Sequence, residues 1–293
     1  MTQVIVGFLI AATVGLTGVG GGSFTTPALV LLVGLPAAEA VGTALVFAAI
    51  LRLIAAPFYV VRRLVNGRYL RLLLLGALPG LVLGTWLLRL MQQRTWNPLV
   101  LVIIGALLAG SAAVTFIPRM QRPRFAKEKG GWLSLLALPI GLETGFSSAG
   151  AGALGSVLLL NYSELTAPEV VGTDLLFGIG LAVFGSAIHL SWGSMNHGVL
   201  TRLLAGGVPG VLLGCLLAKR VSSGRLRTVV ALVAIALGLQ LIWMGCRPLI
   251  RDLSFDHSAN PSLAPSTSQA TSRLASTAQV GAERSPARSC CSR

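Results

Sequence analysis

The sequence predicts an all-α integral membrane protein. It is read as two homologous repeats of about four hydrophobic segments each, with a glycine-broken first segment in each repeat. Three observations carry this. Hydrophobic residues make up 54% of the 293 and charged residues only 11%, whereas a soluble domain carries roughly 25% charged residues. The apolar residues fall in long uninterrupted runs, with mean hydropathy +0.80. Finally, two stretches inside those runs refuse regular helix, and they occupy corresponding places in the two halves.

The first of these is Gly15-Leu16-Thr17-Gly18-Val19-Gly20-Gly21-Gly22-Ser23-Phe24-Thr25-Thr26-Pro27. Its glycines remove the preference for helix, and Pro27 is expected to forbid continuation. The apolar runs on either side, residues 4–14 and 27–35, are each too short for a span, which needs about 20 helical residues. Together they form one broken span or one re-entrant hairpin. Residues 40–61 make a full span ending at Arg62 and Arg63, and residues 70–88 and 98–117 make two more. Residues 119–131 form a basic connector. The second half repeats the pattern: 132–160 broken at Gly145-Phe146-Ser147-Ser148-Ala149-Gly150-Ala151-Gly152, then spans at 168–192, 200–218 and 226–244. Trp86, Trp96, Trp132, Trp192 and Trp243 lie near span ends, where indole rings favour the membrane interface. The chain divides into a first repeat at 1–118, the connector, a second repeat at 132–247, and a Ser/Pro/Ala-rich tail at 248–293 that cannot bury a core and is expected to be disordered.

Each second-half partner is numbered 130 above its first-half residue. Gly15, Gly20 and Gly22 fall on Gly145, Gly150 and Gly152. Glu39, Gly42, Thr43 and Asn66 fall on Glu169, Gly172, Thr173 and Asn196. Gly76, Pro79, Gly80 and Gly84 fall on Gly206, Pro209, Gly210 and Gly214. Chance similarity between apolar runs would match Leu with Val; it would not hold Gly, Pro, Glu and Asn in register. Duplication of this kind is common in secondary transporters, with the site between the repeats. The basic loops at 62–71, 119–129 and 219–227 share one side of the membrane if each broken segment re-enters, and do not if it crosses. The positive-inside rule therefore favours inverted repeats with re-entrant first segments. Hydropathy alone leaves eight crossings, or six plus two hairpins, open.

The formal net charge of +14 invites a nucleic-acid partner, but the basic residues sit in short loops between apolar runs. No aromatic platform or basic folded face accompanies them. Four cysteines, two in the last spans and two at the end of the tail, make no disulfide framework. The terminal pair would suit lipidation, although an unstructured tail accounts for it as well. The opening residues lack the basic start of a cleavable signal peptide.

Unwound backbone inside a membrane must be satisfied by protein or line a wet cavity. Where a helix restarts, its first N–H groups favour an anion. The candidate substrate-binding residues are therefore Gly20, Gly21, Gly22, Ser23 and Thr25 in the first break and Ser147, Ser148, Gly150 and Gly152 in the second. The competing reading is that these glycines only allow close helix packing. Arg52 joins the candidates because it lies in the middle of a span, where a charge is expensive and usually functional. It would neutralise the anion, or form an ion pair that fixes packing, with Glu143 and Asp174 as candidate partners. Those two carboxylates are candidates for coupling transport to protons, or are interfacial or paired groups. Glu39 and Glu169 recur at helix starts, where capping explains them, and His189 reads as an interfacial histidine. No metal-ligand spacing, cofactor motif, phosphate-binding lysine or nucleophile with a nearby base is present, so neither a cofactor nor an enzyme is expected.

Gly18-Val19-Gly20-Gly21-Gly22-Ser23 with Pro27, Ala40-Val41-Gly42-Thr43, Val171-Gly172-Thr173-Asp174-Leu175, His189, and Gly206-Gly207-Val208-Pro209-Gly210 through Gly214 together resemble the sulfite exporter TauE/SafE family. The resemblance covers residues 1–247. It implies a multi-pass inner-membrane permease moving small sulfur-containing anions such as sulfite, sulfoacetate and related sulfonates, or thiosulfate, with coupling to the proton-motive force. The chain departs from that pattern at Asn196, where the family commonly carries an aspartate. Any coupling or gating role of that position is thereby open here. The expected partners are a small anion and membrane lipid; homo-oligomerisation is left open. An anion channel and a non-transport membrane scaffold or enzyme on the same fold are the alternatives.

Overall fold

The computed structural model describes residues 2–17, 22–61, 63–93, 97–114, 130–193, 195–217 and 223–258. Among these, every regular element is helical. The first half supplies α1 (Thr2–Thr17), α2 (Gly22–Ala28) running into a π-helical turn at Leu29–Val33, α3 (Ala37–Val60), α4 (Gly67–Gln93) and α5 (Asn97–Val114). The second supplies α6 (Gly130–Ser147), α7 (Gly150–Tyr162), α8 (Ala167–Ser191), α9 (His197–Leu217) and α10 (Ser223–Ser258). Six helices, α3, α4, α5, α8, α9 and α10, are long and apolar enough to cross a membrane. The protein is therefore a multi-pass membrane protein.

Glycine rows set the packing, and the shift of 130 governs them. On α4, Gly76, Gly80 and Gly84 lie against the backbone of Ser134, Leu138 and Leu142 of α6. On α9, Gly206, Gly210 and Gly214 lie against Val4, Phe8 and Ala12 of α1. Each first-half contact has its second-half counterpart with the roles of the halves exchanged. The absence of side chains lets the backbones approach to direct contact, the usual basis of close association between apolar helices.

These pairings give helix directions. Residue numbers rise together along α1 and α9, and along α4 and α6, so each pair is parallel. In the central pair they run oppositely: Gly178 of α8 meets Arg52 of α3, and Gly185 meets Leu45. The start of α9 lies near the start of α3, where Asn196 N–H donates to Thr43 Oγ1 at 3.2 Å. Further along, Gly207 packs on Phe47. Hence α1, α3 and α9 point one way and α4, α6 and α8 the other. Since α1 and α3 are parallel, the chain between them, which contains α2, must return to the side where α1 began. The same holds for α7 between α6 and α8.

The ends carry expected devices. Thr166 and Glu169 form a capping box at the start of α8, with Thr166 N–H and Oγ1 each 2.8 Å from Glu169 Oε2. Trp192 lies under the Arg89 guanidinium at 4.6 Å, and Trp243 under Arg247 at 5.4 Å.

Three expectations are corrected. The first break is shorter than its glycines suggest: helix resumes at Gly22 and holds Pro27 inside it. The proline removes one bond, and the π-helical Leu29–Val33 turn that follows re-registers the ladder. Gly15 and Gly145 lie inside α1 and α6, because they pack on the backbone of Val211 and Leu81 rather than breaking the helix. The tail expected from 248 is helical through Ser258; an established helix extends at one bond per residue without a new nucleation cost. Residues 259–293, most of the basic connector, and Gly18, Val19, Gly20 and Gly21 lie outside the described residues. Residues Met1–Pro248 form one compact unit.

Candidate functional site

The second hairpin turns on Ser148 and Ala149. Ser148 holds a left-handed φ of 63°, uncommon for a residue with a side chain. Although Gly150 begins α7, Ala151 (ψ 126°) and Gly152 (φ 112°) leave the helical region, and Gly152 is the residue type such a φ requires. Ala151 N–H donates to Thr144 Oγ1 at 3.0 Å, and Ala149 N–H to Ser147 Oγ at 3.3 Å. Ser148 N–H reaches Thr144 O at 2.9 Å. These bonds fold α7 back along α6 and satisfy amides that the sequence left to an anion.

Helix α2 of the first half meets the turn of the second hairpin. Thr26 Oγ1 and Ser148 Oγ are 2.7 Å apart, both buried, and separated by 122 residues of chain. Phe24 packs against the cluster of Leu108, Ala112, Ala149 and Ala234, drawing α5 and α10 over the junction. Thr25 is fully buried beside it.

Arg52 enters from α3. It is 3% exposed, and its Nη2 donates to the Ala151 carbonyl at 2.8 Å. That carbonyl lies in the non-helical stretch, so the guanidinium satisfies unwound backbone as well as carrying charge into the interior. Asp174 of α8 is the carboxylate acting electrostatically on it. Asp174 Oδ2 in turn accepts from Ser156 Oγ at 2.6 Å, tying α7 to α8. Glu143 is buried on α6, and its Oε1 has no hydrogen-bond partner among the described residues.

Of the sequence candidates, Arg52, Asp174, Ser148, Gly150 and Gly152 gather at the second break. Ser147 is there too, its hydroxyl donating to Glu143 O at 2.9 Å. Gly22 and Ser23 fall in α2, and Gly20 and Gly21 lie outside the described residues. His189, in the last turn of α8, is 2% exposed and edge-on to Trp192 with ring centroids 6.1 Å apart. Sequence reasoning missed Thr144 and Ser156. Thr26 and Ser156 are repeat partners, and that recurring hydroxyl was a signal available to be read.

The relatives agree in kind. A "Probable membrane transporter protein YjnA" from Bacillus subtilis is 30% identical over 250 residues, covering 82% of this chain and 98% of its own. A "Probable membrane transporter protein" from Xylella fastidiosa is 26% identical over 256 residues, 83% and 95% of the two chains. Another from Haemophilus influenzae is 24% identical over 242 residues, 81% and 92%. No solved structure matches. The family model described as "Sulfite exporter TauE/SafE" matches residues 3–241. Spanning nearly all of the compact unit, that match makes this chain a member of the TauE/SafE family of membrane transporters.

Proposed function

We propose that this protein is a secondary carrier that exports small sulfur-containing anions, such as sulfite, sulfoacetate and other sulfonates, or thiosulfate, across the inner membrane. The observation that carries the reading is the buried meeting of Thr26 on α2 with Ser148 in the turn of the second hairpin, where Arg52 also reaches the Ala151 carbonyl. Arg52 supplies the compensating charge and a planar set of donors suited to an oxyanion. Thr26 and Ser148 turn their hydroxyls to the anion when α2 and the second hairpin's turn part. The halves act as inverted repeats; the parallel α1–α9 and α4–α6 pairs and the antiparallel α3–α8 pair support this. The hairpins then enter from opposite faces, and alternating access is a rocking of one helix set against the other. The basic segments at 62–71 and 219–227 flank the start of α4 and the end of α9, the same face, which the positive-inside rule assigns to the cytoplasm.

Flux into proteoliposomes tests the reading, using radiolabelled sulfite, sulfoacetate and thiosulfate with and without a pH gradient. Saturable flux of one or more, accelerated by the gradient, is expected. Rapid gradient-indifferent flux to equilibrium would replace the carrier with a channel. No flux of any of the three would remove this substrate class.

A further inference from the structure

The α3–α8 crossing keeps one register in both directions but not one set of side chains. Arg52 faces Gly178, and a Cβ built on Gly178 would have Arg52 Nη1, Cζ and Nε as its three nearest atoms, with Nε at 3.1 Å. The shift of 130 carries this pair onto Ala182 and Ala48, which are 1% and 3% exposed. One crossing point therefore holds an arginine and a glycine, and its counterpart holds two alanines. Gly178 lies within α8 and is buried. In a helix interior glycine is less favourable than alanine by about 1 kcal/mol. The three atoms nearest to that added Cβ all belong to the Arg52 guanidinium.

We propose that Gly178 is a positioning residue for anion transport. Its missing side chain opens the lane along which Arg52 crosses from α3 to the Ala151 carbonyl, so the guanidinium stands at the second break. This rests on the carrier reading for its functional half. The steric half stands without it. A methyl at 178 displaces the guanidinium, breaks its bond to Ala151 and withdraws the charge from the second break. Once position 52 is alanine the same methyl has room, as at Ala48 against Ala182.

The test is a double-mutant cycle on the full-length protein: wild type, Gly178→Ala, Arg52→Ala, and both together. Thermal melting in detergent is one readout. Gly178→Ala is expected to lower the melting temperature in the Arg52 background and to leave it unchanged or raise it in the Arg52→Ala background. An equal shift in both backgrounds overturns the proposal. Sulfite and thiosulfate flux is the second readout. Gly178→Ala is expected to cut flux by about tenfold or more, the worth of one charge-assisted hydrogen bond, with nothing further lost when it is added to Arg52→Ala. Wild-type flux in Gly178→Ala also overturns the proposal. Should Gly178→Ala not fold, recovery of a folded protein in the double variant supports the lane, and failure of both sinks it. If wild type moves neither anion while the melting cycle changes sign, the lane stands and the substrate reading falls.

Discussion

The backbone N–H of Asn196 donates to Thr43 Oγ1 at 3.2 Å, and the backbone N–H of Asn66 donates to Thr173 Oγ1 at 3.0 Å. Each asparagine precedes a span in one half, and each threonine lies in the first turns of a span in the other. The two bonds are images of one another under the shift of 130. Asn196 also accepts from Val199 N–H at 3.1 Å through Oδ1, so here it caps α9 with an acceptor that an aspartate would equally supply. Thr43→Val and Thr173→Val keep the branched shape and remove the acceptor. Each is expected to lower stability by about 1 kcal/mol, with the two losses equal within error when read from thermal melting.

The contact of Thr26 with Ser148 makes a distance prediction. Hydroxyl oxygens 2.7 Å apart put the two Cβ atoms within reach of a disulfide, which needs about 3.5–4.5 Å between them. With the native cysteines replaced by serine, Thr26→Cys with Ser148→Cys should crosslink under mild oxidation. Anion flux should stop on oxidation and return on reduction. A crosslinked protein with undiminished flux would separate this contact from the transport cycle.

Arg52→Lys keeps the charge and loses the planar fork. The Ala151 carbonyl then has a shorter, single-point partner in place of Nη2. Flux is expected to fall by about tenfold or more while the protein stays folded, as judged by gel filtration. Unchanged flux would mean that charge alone is required.

Glycines differ in what surrounds them, and substitution should report it. Gly110 has nothing near its missing Cβ, so Gly110→Ala should be neutral or stabilise by about 1 kcal/mol through helix preference. Gly206 presses on the Val4 backbone and Gly76 on Ser134. Gly206→Ala and Gly76→Ala should each cost about 1–3 kcal/mol by forcing helices apart, visible as a lower melting temperature.

The spans were legible because apolar length alone sets them, and the offset of 130 because Gly, Pro and Asn are not interchangeable with Leu. Arg52 was legible as a charge out of place. What escaped were contacts whose logic is purely spatial. Ala151 gives no hint that its carbonyl is the acceptor for Arg52. Gly178 looks like one small residue among many until the guanidinium is seen crossing it. Pro27 misled in the other direction, since a π-helical turn absorbed a residue expected to end the helix.

The exchange of opening helices has a consequence for biogenesis. The ribosome releases α4 before α6 exists, and α1 long before α9. The glycine faces of α1 and α4 therefore enter the bilayer without the surfaces they fit. Neither half can finish assembling during its own synthesis, so the first half stays incompletely packed until the second emerges. Two separately encoded halves should each be degraded when made alone and persist when made in the same cell.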